Sequence, residues 1–301
     1  MGINSESAAF LCEARAAGAS FGRVLTLGRQ NLNVDRETLR ALAARHGVDT
    51  ASADESAREY CETFFTRFLG AQSVDAVDHS GYEGAVLTHD LNQPIPPQWE
   101  QRYDAVVDGG TLEHVFNFPT AIANCMRLVR EGGRLFVFTP ANNQLGHGFY
   151  QFSPELFFRT LAPAHGFEIE NMVAVQFRYA STECGSTGHV YRVADPASVG
   201  SRITLVNSRP VTLMIRARKT AHRSAPFEMF PQQSDYGHIW ETGDGDSTPP
   251  PRAVTRSFLR TPARLVKRIL PSGIGERLRN EYDRRFVHSF RNKSFYTRTK
   301  T

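Results

Sequence analysis

An α/β fold with a mostly parallel sheet is what this chain predicts, and three observations carry the prediction. Short β-branched apolar runs alternate with segments of helical periodicity from the first residues onward, the order expected of βαβ units. Several of the runs stop at an acid or a glycine, as strands do where they meet a ligand-facing loop. The chain also has 301 residues, 41% of them apolar and 22% charged, a globular balance that excludes fibres and wholesale disorder.

The elements follow in order. Ser5 to Ala17 has helical character, and Arg23 to Leu27 (RVLTL) is the first strand, closed by Gly28. Asp35 is the N-cap of a helix ending at Gly47, and Asp54 opens a second that runs through Phe68 and stops at Gly70. Ser73 to Val77 and Gly84 to Thr88 are strands, the first followed by Asp78 and the second by His89 and Asp90. After the NQPIPP turn, Tyr103 to Val107 is an interior strand bounded by Asp108-Gly109-Gly110. Pro119 to Arg130 is a helix by the spacing of Ala121, Ile122, Cys125, Met126 and Val129, and Gly132-Gly133 ends it. Arg134 to Thr139 is a strand, Pro154 to Ala164 a helix, and Phe167 to Val175 and Val211 to Ala217 are the last strands. Seven strands result, with helices in most crossovers and so on both faces of the sheet.

The pattern decays beyond Lys219. Residues 221–256 contain GDGDSTPPP and read as linker, so the domain spans 1–220 and a basic amphipathic helical tail spans 257–301. Its apolar members include Phe258, Leu259, Leu265, Val266, Ile269 and Leu270, then Leu278, Tyr282 and Phe286. The net charge of +4 is uneven: residues 252–301 hold 14 Lys/Arg against 3 Asp/Glu, or +11, leaving 21 against 28, or −7, for the rest. Such a tail is a solvated helical cap, a nucleic-acid surface or a helix lying on anionic lipid. The first reading is preferred, because Leu278, Tyr282 and Phe286 recur at four-residue spacing among the arginines as a single packing stripe, and no nucleic-acid-binding motif accompanies the tail.

Cys12, Cys61, Cys125 and Cys184 show no C-x-x-C spacing, and no His/Cys/Asp cluster has ligand spacing on one element, so no metal site is expected. There is no run of about 18 apolar residues and no signal-peptide order. The expected location is cytoplasmic, with peripheral contact to the inner membrane open through the tail.

In an open parallel sheet, ligands bind beyond the carboxyl ends of the strands. Gly28, Asp78, Asp90 with Leu91, and the run from Asp108 to His114 occupy those positions. A carboxylate at Asp78 suits a ribose diol, since it only accepts hydrogen bonds, but an exposed cap acid would look the same. Gly109-Gly110 either leaves room for a ligand or is a tight turn. No G-x-S-x-G supports serine catalysis, and no G-x-G-x-x-G follows the first strand, against a nicotinamide dehydrogenase.

The stretch YDAVVDGGTLEHVFNFPTAIANCMRLVREGGRLFVFTP, residues 103–140, resembles the fourth-strand to fifth-strand core of the class I S-adenosylmethionine-dependent methyltransferases. In that family an aspartate-bearing strand is followed by L-E-H-V, a helix, a Gly-Gly turn and a strand ending in proline. The resemblance extends more weakly over residues 22–220. It implies a Rossmann-like seven-stranded sheet with a reversed last strand, S-adenosylmethionine as cofactor, Asp78 on the ribose, Asp90 and Leu91 beside the adenine, and Asp108 to Thr111 along the cofactor. The first strand departs from the family pattern: Thr26 stands where an acid belongs, and Gly28, Gln30 and Leu32 stand where three glycines belong. The Gln30 side chain either crowds the methionine portion of the cofactor or replaces a missing contact.

Methyl transfer to a hydroxyl needs an in-line acceptor and a base. His147, in the loop after the fifth strand, is the preferred base, with His114, Tyr150 and Glu113 as further candidates; His114 could equally be a cap or core histidine. Asn142, Asn143, Gln144 and Gln151 suit a hydroxyl-rich acceptor, whether a small molecule or a glycan. The expected function is O-methylation of such an acceptor, and the alternative is a catalytically inactive scaffold of the same fold.

Overall fold

The computed structural model describes residues 2–57, 60–178, 188–236 and 272–299. Cys184, most of the expected linker and the apolar run from Phe258 to Leu270 lie outside the described residues.

All seven expected strands form: β2 (Arg23–Leu27), β4 (Ser73–Asp78), β5 (Leu87–Thr88), β6 (Tyr103–Asp108), β7 (Val129–Asn142), β8 (Phe167–Gln176) and β10 (Val211–Lys219). Two more join them, β9 (His189–Val193) and β11 (Tyr296–Arg298), so that the described residues make a nine-stranded sheet in the order β11-β9-β8-β10-β7-β6-β2-β4-β5. The expectation of seven strands is corrected to nine. The five strands from β7 to β5 are parallel, and β10 runs antiparallel between β7 and β8, which is the reversed last strand expected of the sequence. Because β4 and β5 lie on one side of β2 while β6 lies on the other, the strand order reverses between Leu27 and Asp108. A crevice at the carboxyl ends of β2 and β6 is the consequence.

Side chains alternate across the sheet as a period of two requires. Leu25, Leu27, Val106, Leu135 and Val137 pack on one face with Ala121, Ile122, Cys125 and Met126 of α5 (Phe118–Leu128). Val24, Ala105, Val107, Phe136 and Phe138 pack on the other face with α1 (Ser5–Ala16), α2 (Arg36–His46) and α4 (Glu62–Leu69), whose Phe64, Phe65 and Phe68 are all buried. Helices thus cover both faces. Asp35 caps α2 by accepting from the Thr38 N–H, and Gly47 ends it in the left-handed region.

Other expectations change in detail. The single helix expected from Asp54 to Phe68 is two, α3 (Thr50–Ser56), capped by Asp49, and α4. The strand expected over residues 134–139 begins at Val129, which pairs with Tyr103 ahead of an irregularity in the register. A short parallel pair, β1 (Gly2–Asn4) and β3 (Asn31–Asn33), lies outside the main sheet. The segment expected as a basic amphipathic helical tail contains α6 (Ser272–Tyr282) and a π-helical turn (Asp283–Val287), then joins the sheet as β11, with Phe295 and Tyr296 in the core. Among the described residues no helix is long and apolar enough to cross a membrane.

Candidate functional site

The two halves of the crevice are tied together at the Leu27 carbonyl, which accepts from the Thr111 hydroxyl at 2.8 Å and from the Gln30 side-chain amide. Gly28 follows in the left-handed region (φ 69°), and its N–H donates to the Val77 carbonyl of β4. Only a residue without a β-carbon takes this turn cheaply. The chain then enters Gln30, which is fully buried. Its amide lies directly over Gly109, where any β-carbon would collide with it. The room that Gly109 leaves is therefore taken by a protein side chain. Gln30 Oε1 faces that space and accepts no hydrogen bond, an arrangement that stays favourable only where a donor can reach it.

Asp78 closes β4, half-buried, with one oxygen accepting from the His79 N–H at 2.6 Å. The β4 to β5 pairing brings the next acidic turn beside it, and the His89 N–H donates to the Asp78 carbonyl. Asp90 accepts from the backbone and side-chain amides of Asn92, which hold its carboxyl below the ordinary aspartate value. Leu91 is buried in the core, its carbonyl accepting from Asn124. Asp78 and Asp90 therefore follow the paired carboxyl ends of β4 and β5, while the Leu91 side chain packs in the core.

Asp108 is placed differently from the sequence expectation. It is fully buried, and one carboxyl oxygen collects the N–H groups of Gly110, Thr111 and Leu112. Burial, and after it the neighbouring Glu113, push its carboxyl well above the ordinary range against the pull of those N–H groups. Asp108 shapes the turn and does not line the cavity.

Beyond that turn a polar cavity of about 180 Å³ is lined by Gly109, Gly110, Glu113, His114, Thr139 and His147. Gly2 and Asn4 of β1, Asn33 of β3, and Thr212 and Met214 of β10 are among the other residues of its walls. Glu113 is fully buried; its Oε2 accepts from the Thr139 hydroxyl, and its Oε1 lies 3.3 Å from Nε2 of His147. The His114 and His147 rings are 5.4 Å apart. The loop carrying His147 is held against the Glu113 turn by the Phe149 and Tyr150 N–H groups, both donating to the Glu113 carbonyl. Gly148 permits this approach, since a β-carbon there would stand 2.9 Å from that carbonyl.

His114 and His147, 33 residues apart in sequence, thus meet on one wall with Glu113. Tyr150 does not join them: its hydroxyl donates to the Phe116 carbonyl at 2.6 Å and its ring stacks on Phe152. The sequence reading missed the contribution of residues 2–4 and 33, because three-residue strands carry no periodicity. The Gly2 contact with Asn31 and Asn33 that seats β1 also leaves no local signature.

No family model matches the chain. It is 28% identical over 127 residues to prosolanapyrone synthase of Alternaria solani, a match covering 42% of this chain and 4% of that protein. Similar solved structures include 1,6-didemethyltoxoflavin-N1-methyltransferase of Burkholderia thailandensis with bound 1,6-didemethyltoxoflavin and S-adenosylhomocysteine. That protein is 18% identical, with 72% of this chain and 78% of that chain covered and a TM-score of 0.37. Another is a SAM-dependent methyltransferase of Thermotoga maritima, 14% identical over 71% of this chain and 90% of that one, TM-score 0.37. A third is a 16S rRNA adenine methyltransferase of Catenulisporales acidiphilia, 12% identical over 72% and 94%, TM-score 0.34.

Proposed function

We propose that this chain is an S-adenosylmethionine-dependent methyltransferase acting on a hydroxyl of a small-molecule or glycan acceptor. The observation that carries the reading is the strand order. It sets Asp78 and the Asp90–Leu91 turn on one side of the crevice and the Glu113–His147 pair on the other, at the carboxyl edge of a sheet whose reversed strand sits between β7 and β8.

The residues present fit that cofactor. Asp78 is an acceptor at the end of the second parallel strand, suited to a ribose diol, and Asp90, after β5, is an acceptor suited to the amino group of a base. Gln30 Oε1 is a buried acceptor without a donor, suited to an ammonium group. Bound there, S-adenosylmethionine supplies an electrophilic methyl group on a sulfonium. The chain's own residues do the rest. The loop of residues 142–151 would meet the acceptor, and His147 would accept the proton of the acceptor hydroxyl as that oxygen takes the methyl group. Glu113, buried beside Nε2, steadies the charge that His147 gains. At about 180 Å³ the cavity is below the roughly 300 Å³ of a typical ligand site, so it holds only part of a cofactor and acceptor.

Calorimetric titration of the purified protein with S-adenosylmethionine and S-adenosylhomocysteine tests the reading. Micromolar binding of both is expected. Absence of binding at millimolar ligand would overturn it.

A further inference from the structure

We infer that Glu113, His114 and His147 form a binding site for a divalent transition-metal ion of the zinc type. One carboxylate and two imidazoles are a zinc donor set, and one ligand atom from each lies within 4.8 Å of the other two. The distances fit the ion. Two ligands each about 2.0–2.1 Å from a tetrahedral zinc stand about 3.3 Å apart, the separation of Glu113 Oε1 and His147 Nε2. His114 is exposed, so its ring can turn the remaining distance without disturbing the core.

Two independent observations point to a ligand here. Glu113 Oε1 is buried and accepts no hydrogen bond, a cost that an ion beside it would remove. The other oxygen is already fixed by the Thr139 hydroxyl, the kind of supporting contact that orients a metal-binding carboxylate. Three protein ligands leave one tetrahedral position, and all three residues line the cavity.

Binding of the ion does not depend on the proposed function; only its role does. In a methyltransferase the open position would take the acceptor oxygen. The ion would then stand in for His147 as the group that acidifies the hydroxyl, and its proton would pass to solvent.

The test uses the full chain stripped with a chelator and titrated with Zn²⁺ by calorimetry and with Co²⁺ by visible absorption. One equivalent of each is expected to bind, Co²⁺ giving the intense bands of a four- or five-coordinate site. Since losing even a supporting partner costs about 10- to 100-fold in metal affinity, H147A and H114A should each weaken Zn²⁺ at least about tenfold. Both side chains are exposed, so these variants fold. No saturable binding, or unchanged affinity in H147A, overturns the site. Titration of the metal-free protein with S-adenosylhomocysteine separates the two proposals: loss of nucleotide binding alone defeats the function, and loss of metal binding alone defeats the site.

Discussion

Gln30 and Gly109 share one volume: the buried amide of the first lies where the second lacks a side chain. The pairing explains why the β6 turn needs a glycine at 109, although Gly109 is absent from the glycines with positive φ. The requirement is steric, and it is set by a residue 79 positions earlier in the chain. Gly109→Ala should lower stability by about 1–3 kcal/mol through overpacking. In a Gln30→Ser background the same change should cost much less. Urea midpoints of the four proteins in a double-mutant cycle check this, and an additive result would separate the two residues.

Asp78 is half-buried and its carboxyl accepts from the adjacent His79 N–H, so loss of the side chain should leave the fold intact. Asp78→Ala is expected to weaken S-adenosylhomocysteine binding by about 10- to 100-fold, the worth of hydrogen bonds to a charged acceptor, with little change in melting temperature. Unchanged affinity would remove Asp78 from the site.

His147 and Tyr150 sit on one loop but should behave differently. His147→Ala is expected to lower methyl transfer by about 10²- to 10⁴-fold, the usual span for a general base, with cofactor affinity retained. Tyr150→Phe loses only a bond to the Phe116 carbonyl. It should cost about 1 kcal/mol of stability and leave turnover near wild type. Single-turnover rates with a methyl-labelled donor distinguish the two.

Lys219 is buried, its ammonium donating to the Met126 and Val129 carbonyls at the end of α5. Burial lowers its pKa from 10.5 to about 8, while Glu100 and Glu131 pull the other way. The sign follows from proton counting. Between these values the unfolded chain holds a proton that the folded one has lost, so stability rises with pH from about 8. The buried thiols oppose this from their ordinary value of 9.0 upward, since burial raises Cys12 to about 12 and also raises Cys61 and Cys125. The rise should be visible between pH 8 and 9, and Lys219→Met should flatten it in urea melts.

What the sequence made legible was whatever repeats or caps locally. The apolar runs of β2 and β6, the Asp35 cap and the glycines at 47 and 70 stand where the residues indicated, and the run expected over 134–139 lies within the longer β7. The three-residue strands β1, β3 and β11 were not legible, being too short for periodicity and defined by partners far away in the chain. Val129 was read as the end of a helix because it continues the apolar spacing of α5; its pairing with Tyr103 claims it for β7. Within the site, His114 and His147 could be named individually. Their meeting at Glu113 could not, since it depends on how the loop after β7 folds back onto the turn after β6. The displacement of Asp108 into a capping role was hidden for the same reason: only burial distinguishes it from an acid that faces a ligand.

The pairing of β11 with β9 joins Tyr296 to Val193, about a hundred residues apart, and so closes a long loop for three residues of ladder. Contacts of that separation form slowly and contribute little until the rest of the sheet stands. The same arithmetic makes this edge the first to open. When it does, the β9 backbone is left as a free sheet edge, a template on which a second copy could add a strand. Slow exchange should therefore fail first at the amides of residues 190–193 and 296–299, and self-association at high concentration should rise when Tyr296 is replaced by a charged residue.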